Sequence, residues 1–367
     1  MICAGVLMLV SMAARAIEWR IEVTPAGELF PALELSQAST DVVADAGNGL
    51  LRVHLEGAAH EQRARVTVAT AGLVAPTVLD VAWTGARVLR PRLDWDVHAL
   101  RALSVARMQE LEVTIERDGA QKLVQRVPVR VHPLDEALYF VRDGDARIDL
   151  GFAFAAWVDP FDPVVDELIA LAGIDARGSS VDGVAAARAI WIALERRGLR
   201  YADDGAGISQ GPVIYSQRVR LLADTWSERV ANCLDGSVLI ASALERLGIR
   251  SMLVLVPGHA FVGFEADADA RAVEFLETTL LGHDARAGDR GGAFESRARA
   301  GFAAALAAGR ASYRRAASRL DGRHRPNYAI IDISTARSYG IMPLAVGRSS
   351  ITGSPSTAPT VAPSTSD

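Results

Sequence analysis

Cys233, the run Gly258-His259-Ala260-Phe261 and the run Glu277-Thr278-Thr279 follow one another along the chain. A cysteine, a histidine and a carboxylate in that order can supply a nucleophile, a base and an orienting group. A free thiol is a poor nucleophile at neutral pH, but the positive end of a helix and a neighbouring imidazolium both favour the thiolate. His259 would take or hold the proton, and Glu277 would fix the ring tautomer and stabilise its positive charge. Singly, each has a plainer reading: an inert cysteine at a helix start, a turn histidine, a surface strand carboxylate. Taken together, and with polar Asn232 and Asp235 beside the cysteine, they point to thiol chemistry. Glu274 competes with Glu277 for the third role, because strand register is not readable from the sequence.

The elements that must hold these groups follow from periodicity. Leu234, Val238, Ala241 and Leu244 recur at helical spacing and Gly248 supplies a stop, so a helix is expected from Cys233 to Leu247, with the cysteine at its N-terminus. Strands are expected over Met252–Val256, Ala260–Phe264 and Val273–Leu276, which puts His259 and Glu277 on neighbouring strands. Asp162-Pro163 starts a helix through Leu171, and a second helix runs from about Val181 to Arg197 before Gly198, with Trp191 in the core. A later helix covers about Phe294 to Arg315, then a strand from Tyr328 to Ile333 and a short element from Thr335 to Tyr339. Before this region, residues 17–132 alternate in short apolar runs such as Leu50–Leu55 and Arg65–Val68, a β-sandwich pattern. Its clearest hairpin runs from Leu111 to Ile115, turns at Asp118-Gly119 and returns from Val124 to Val131. The chain thus divides into an apolar segment 1–16, a β-sandwich 17–135, a thiol domain 148–345 and a disordered Ser/Thr/Pro-rich tail 346–367.

Composition narrows the functional classes. With 367 residues, half of them apolar, the chain can bury a substantial core. A net charge of −5 and a pI near 5.9 provide no overall basic field, so direct nucleic-acid binding is not expected. Lys122 is the only lysine and has no Gly-Lys-Ser/Thr around it, which excludes a P-loop ATPase. Two cysteines, Cys3 and Cys233, in unlike settings argue against a disulfide framework and for a reducing compartment. His54, His60, His98, His132, His283 and His324 are scattered without zinc-ligand spacing, so neither a metal nor a cofactor is expected. The segment from Ile2 to Ala14 lacks a basic start and is too short to span a bilayer; a cytoplasmic location is expected, with export the alternative if residues 1–16 are a signal peptide. Glu265-Ala266-Asp267-Ala268-Asp269 mimics a calcium loop without its glycine and terminal glutamate and reads as a solvated hairpin turn, and the arginines from Arg310 to Arg325 read as a solvated face.

The segments Cys233-Leu234-Asp235-Gly236-Ser237, Leu247-Gly248-Ile249, Gly258-His259-Ala260-Phe261 and Leu276-Glu277-Thr278-Thr279 resemble the transglutaminase-like superfamily, whose papain-like fold carries Cys, His and Asp in that order. They resemble most closely a bacterial subgroup similar to the N-terminal region of large helicase-type proteins, in which a β-sandwich precedes the thiol domain. Ala155–Pro160 with Asp162-Pro163, Gln217-Arg218-Val219-Arg220, and Asp332-Ile333 with Ala336-Arg337 and Gly340–Leu344 also resemble that subgroup, so the resemblance covers most of residues 17–345. The chain departs from it in having Ala231-Asn232 where Gly-Thr is usual before the cysteine, and no helicase follows. The resemblance implies an α+β protein: an N-terminal immunoglobulin-like β-sandwich followed by a papain-like, transglutaminase-like domain. It also implies a role for Gln217, whose side chain would join the Cys233 N–H in an oxyanion hole, an exposed structural glutamine being the alternative. Arg337 is expected to pair with an acidic partner and dock the last strand.

Two functions are compatible with these features. One is a thiol enzyme that forms a thioester at Cys233 from an amide or peptide bond of a protein or peptide substrate, with water as acceptor (a cysteine protease or amidase) favoured over an amine (a cross-linking transferase). The other is a catalytically inactive papain-like binding module that recruits a helicase or nuclease partner in a bacterial defence system.

Overall fold

The computed structural model of the chain describes residues 19–37, 50–57, 60–117, 122–175, 182–203, 208–267, 272–283, 291–344 and 346. Cys3 and the rest of the apolar segment 1–16, the Asp118-Gly119 turn, Ala268-Asp269 and the tail beyond Val346 lie outside them.

The chain is a mixed α+β protein with several sheets. Its first half contains β1 (Trp19–Val23), β2 (Glu28–Leu29), α1 (Pro31–Leu35), β3 (Leu51–Leu55), β4 (Gln62–Thr70), β5 (Val74–Trp83), β6 (Arg87–Leu89), β7 (Asp94–Trp95), α2 (Val97–Arg101), β8 (Arg107–Glu116) and β9 (Leu123–Val131). They build a six-stranded sheet in the order β2-β9-β8-β4-β5-β7 and a three-stranded sheet β1-β3-β6. Period-two alternation fixes which faces are buried. Val66 and Val68 of β4 stand opposite Ile115 and Val113 of β8, and all four are buried in one cluster with Leu51, Val53 and Leu55 of β3. The two sheets therefore share one apolar core, and the expected hairpin is β8–β9, with Thr114 opposite Val124.

The second half opens with β10 (Glu136–Asp143) and β11 (Ala146–Asp149), a hairpin over a stretch that the sequence pattern left unassigned between the two expected domains. A 3-10 segment at Gly151–Trp157 follows, then α3 (Pro163–Ala172), α4 (Gly183–Arg197), β12 (Arg200–Tyr201), β13 (Ile208–Gln210), β14 (Ile214–Arg218), α5 (Leu222–Glu228), β15 (Val230–Ala231) and α6 (Cys233–Arg246). Next come β16 (Ser251–Val256), β17 (His259–Glu265), β18 (Val273–Leu276), α7 (Gly292–Ala316), β19 (Ala329–Asp332) and α8 (Ile333–Ser338). Two four-stranded sheets result, β11-β10-β14-β13 and β18-β17-β16-β19. The helix starts obey local chemistry: Asp162 and Asp182 cap α3 and α4 through their side chains, and Gly173 and Gly198 end them in left-handed geometry.

Helix α6 is the centre of this half. Every residue from Leu234 to Leu244 is buried, and the helix packs against β16, β17, α3, α4 and α5. A helix buried on all sides is stable only when enclosed, and α6 meets solvent only at its two ends, at Cys233 and from Glu245 onwards. Trp191 of α4 is fully buried in the same core, as expected. Among the described residues no helix is long and apolar enough to cross a membrane.

Candidate active site

The N-terminus of α6 is set by a reciprocal cap. The Asn232 side chain accepts hydrogen bonds from the backbone N–H groups of Leu234 and Asp235, each at 2.9 Å, and the Asp235 carboxylate accepts from the Asn232 N–H at 3.1 Å. Asn232, which reads as a departure when set beside the resembling subgroup, is thus a strong helix start, worth about 1 kcal/mol. The cap leaves the Cys233 side chain partly exposed at the mouth of a pocket of about 320 Å³.

The structure brings Cys233, His259 and Glu277 together. Strand β17 begins at His259, just after the Pro257-Gly258 turn, where Gly258 has a φ of +70°. Its ring hydrogen-bonds the Cys233 thiol and, through Nε2, donates to Glu277 Oε2 at 2.7 Å. With Nε2 engaged, Nδ1 is the ring atom left for the sulfur. Glu277 lies one residue beyond β18, whose Leu276 pairs with Val262 of β17. Its other oxygen accepts from the Thr279 N–H at 3.2 Å and the Thr279 hydroxyl at 2.9 Å, and its backbone N–H donates to Ala305 of α7 at 3.1 Å. The carboxylate is thereby aimed and only 6 % exposed.

The register separates the two candidate glutamates. Glu274 stands opposite Phe264 within β18 and forms an ion pair with Arg310 on the outer side of α7, so it has no part in the pocket.

Charge follows geometry. The hydrogen bond with Cys233, then that with Glu277, raises the His259 pKa to about 10 against the opposing effect of burial. Burial alone would push Glu277 up, but its hydrogen bond and charge interaction with His259, with the Thr279 donors, hold it below the ordinary carboxylate range. At neutral pH the ring is therefore an imidazolium clamped between a carboxylate and a sulfur.

Gln217 lines the same pocket from β14. Its amide nitrogen donates to the Arg218 carbonyl at 3.1 Å, which engages one of its two hydrogens. Tyr139 of β10, Phe154, Tyr201, Asp203, Gln210, Asn232, Pro326 and Asn327 complete much of the wall.

Thr278, Ser237 and Gly236 stand in the segments that carry the resemblance, but the sequence assigns them no contact. Thr278 donates its hydroxyl to the Cys233 carbonyl at 2.9 Å, and Ser237 does so at 2.6 Å. Gly236 lets Thr278 approach, since a Cβ there would lie 3.1 Å from the Thr278 Cβ. The Asn-x-x-Asp spacing of the cap was a usable signal; the threonine and glycine contacts are tertiary and had none. Arg337 is a correction: it donates to the carbonyls of Ile341 and Val158 and not to an acidic partner, with Glu245 and Asp159 acting on its charge through space. The carbonyls of Ile341 in the closing segment and Val158 at the entry to the second half take the two guanidinium bonds, so docking is achieved through the backbone.

No family model, no curated protein and no solved structure matches this chain.

Proposed function

We propose that the protein is a thiol enzyme of transglutaminase-like type, built as an immunoglobulin-like sandwich followed by a papain-like domain, that cleaves an amide or peptide bond through a Cys233 thioester. The observation carrying this reading is the hydrogen-bonded line of Cys233, His259 and Glu277 at the edge of a pocket. Support for the architecture comes from the two sheets over one core in the first half, and from a nucleophile on a buried helix facing a histidine on a sheet in the second.

The steps follow from the positions. The reacting form of the sulfur is the thiolate, its proton taken or held by His259. The sulfur attacks the carbonyl carbon, forming a carbon–sulfur bond, and the charge that develops on oxygen meets the Cys233 N–H and the remaining Gln217 hydrogen. The carbon–nitrogen bond then breaks as His259 gives its proton to the departing amine. Water, losing a proton to His259, attacks the thioester and releases the acid, which restores thiolate and imidazolium. An amine in place of water would give a cross-link; hydrolysis is proposed because it needs no second substrate pocket.

Thiol labelling tests this. In a Cys3→Ser background, iodoacetamide near pH 7 is expected to alkylate Cys233 about tenfold faster than free cysteine. Cys233→Ala should abolish both labelling and any peptide cleavage. A labelling rate no higher than that of free cysteine would remove the enzyme reading and leave the binding-module alternative.

A further inference from the structure

We propose that the buried pair Arg220–Asp235 is a positioning device that holds the strand carrying Gln217 in register with the helix end carrying Cys233. The inference rests on the thiol-enzyme reading and adds residues outside its catalytic line.

Asp235 is the third residue of α6 and is 1 % exposed. A capping box needs it to accept only the Asn232 N–H, which it does at 3.1 Å. Its remaining acceptor capacity goes elsewhere. Oδ1 accepts from the Arg220 backbone N–H at 2.9 Å and Oδ2 from the Arg220 guanidinium at 2.8 Å. Arg220 lies two residues beyond the end of β14 and three beyond Gln217. Its side chain is 12 % exposed and also reaches Glu228 of α5 at 3.4 Å. One carboxylate therefore ties together the turn leading into the nucleophile and the loop leaving the opposite wall.

Strand β14 belongs to the sheet with β10 and β13, whereas α6 packs most heavily on β17; Tyr215, Val219 and Leu234 share one apolar core, which is non-directional, and the Arg220–Asp235 pair adds a directional tie at this end. The choice of a buried ion pair is informative in itself. Removing two charges from water is costly and an apolar pair would pack as well, so the better-attested use of such a pair is to select one register. An oxyanion hole needs that selection, since its two donors come from the two elements being joined and must converge on one oxygen.

The test uses two reagents on the full chain carrying Cys3→Ser. Iodoacetamide alkylates the thiolate without developing an oxyanion. p-Nitrophenyl acetate acylates it through one: the sulfur–carbon bond forms, the carbon–oxygen bond breaks, and p-nitrophenolate leaves with the electron pair. Asp235→Asn and Arg220→Gln are each expected to lower acylation about tenfold relative to alkylation. Arg220→Lys, which keeps the backbone donor and the charge, should lose less. Should Asp235→Asn fail to fold, the two Arg220 variants carry the comparison, because the Arg220 backbone bond to Asp235 survives in both. An unchanged ratio of the two rates, whatever happens to the melting temperature, means that the pair serves packing alone and overturns the proposal. A parent thiol that neither reagent modifies faster than free cysteine overturns the thiol-enzyme reading and this inference with it.

Discussion

The proton on His259 is the charge around which the site is organised. Its partners raise its pKa from the ordinary 6.5 to about 10, so the folded state holds this proton more tightly than the unfolded chain does. The sign follows: the stabilisation is fully present below pH 6.5 and is lost as pH rises through about 10. Glu277 works in the opposite sense, its contribution being present above the ordinary carboxylate value of 4.5 and lost as pH falls through its lowered folded value. Glu277→Gln keeps the shape but removes the charge. The His259 ring titration, followed by NMR, is expected to move from about 10 towards 6.5, and turnover of a cleavable peptide to fall roughly a hundredfold. An unmoved titration would show that Glu277 does not control the ring. The three residues of the line were legible in the sequence because their side-chain types, in that order, suit the proposed thiol chemistry. Asn232 and Asp235 read as polar neighbours of the cysteine; their Asn-x-x-Asp spacing signals the cap, but the Arg220 bonds of Asp235 appear only once the chain is folded.

At the scale of elements, the sequence showed the helix behind Cys233 and the strands that deliver His259 and Glu277, with ends displaced by a residue or so. It did not show which glutamate reaches the ring, because a shift in pairing moves every side chain of β18 to the other face. That register is pinned by α7. Gly309 sits where a Cβ would lie 2.2 Å from the Phe275 carbonyl oxygen, and four residues earlier Ala305 accepts from the Glu277 N–H. Helix propensity alone says that Gly309→Ala should stabilise by about 1 kcal/mol. The close approach says the reverse: α7 must move off β18, with a net loss of about 2 kcal/mol and a weaker hold on Glu277. Urea unfolding decides between the two signs, and a variant that is more stable than the parent would refute the packing account. Periodicity found this helix readily, but nothing in an Ala/Arg-rich stretch marks one glycine as the point of contact.

For the whole molecule, the sequence separated a strand-rich half from a helix-rich half, and their joining came only from the structure. The junction is α1 with the closing segment: Ser36 accepts from the Met342 N–H, Gln37 bridges to Ile341, and Phe30 and Leu33 share a cluster with Leu138, Val141 and Ala153. Near the end of α1 and tied back into the first half lies Glu34, 5 % exposed, whose two oxygens accept from the Leu93 N–H at 2.7 Å and the Trp95 indole at 2.9 Å. Burial raises its pKa to about 7, against those donors and the charge of Arg92, so the folded state binds this proton more tightly than the unfolded one. Stability from this group is therefore greatest below 4.5 and declines as pH rises through about 7, by on the order of 3 kcal/mol. Glu34→Gln removes the titration but leaves one acceptor where two are used. It should be less stable than the parent at pH 5 and regain most or all of that deficit at pH 8. Comparing the two chains in urea at both pH values cancels the alkaline decline from His259, which they share. A gap of the same size at pH 5 and pH 8 would mean that Glu34 does not titrate between those values, and that its burial against Leu93 and Trp95 leaves the proton no more tightly held than in the unfolded chain.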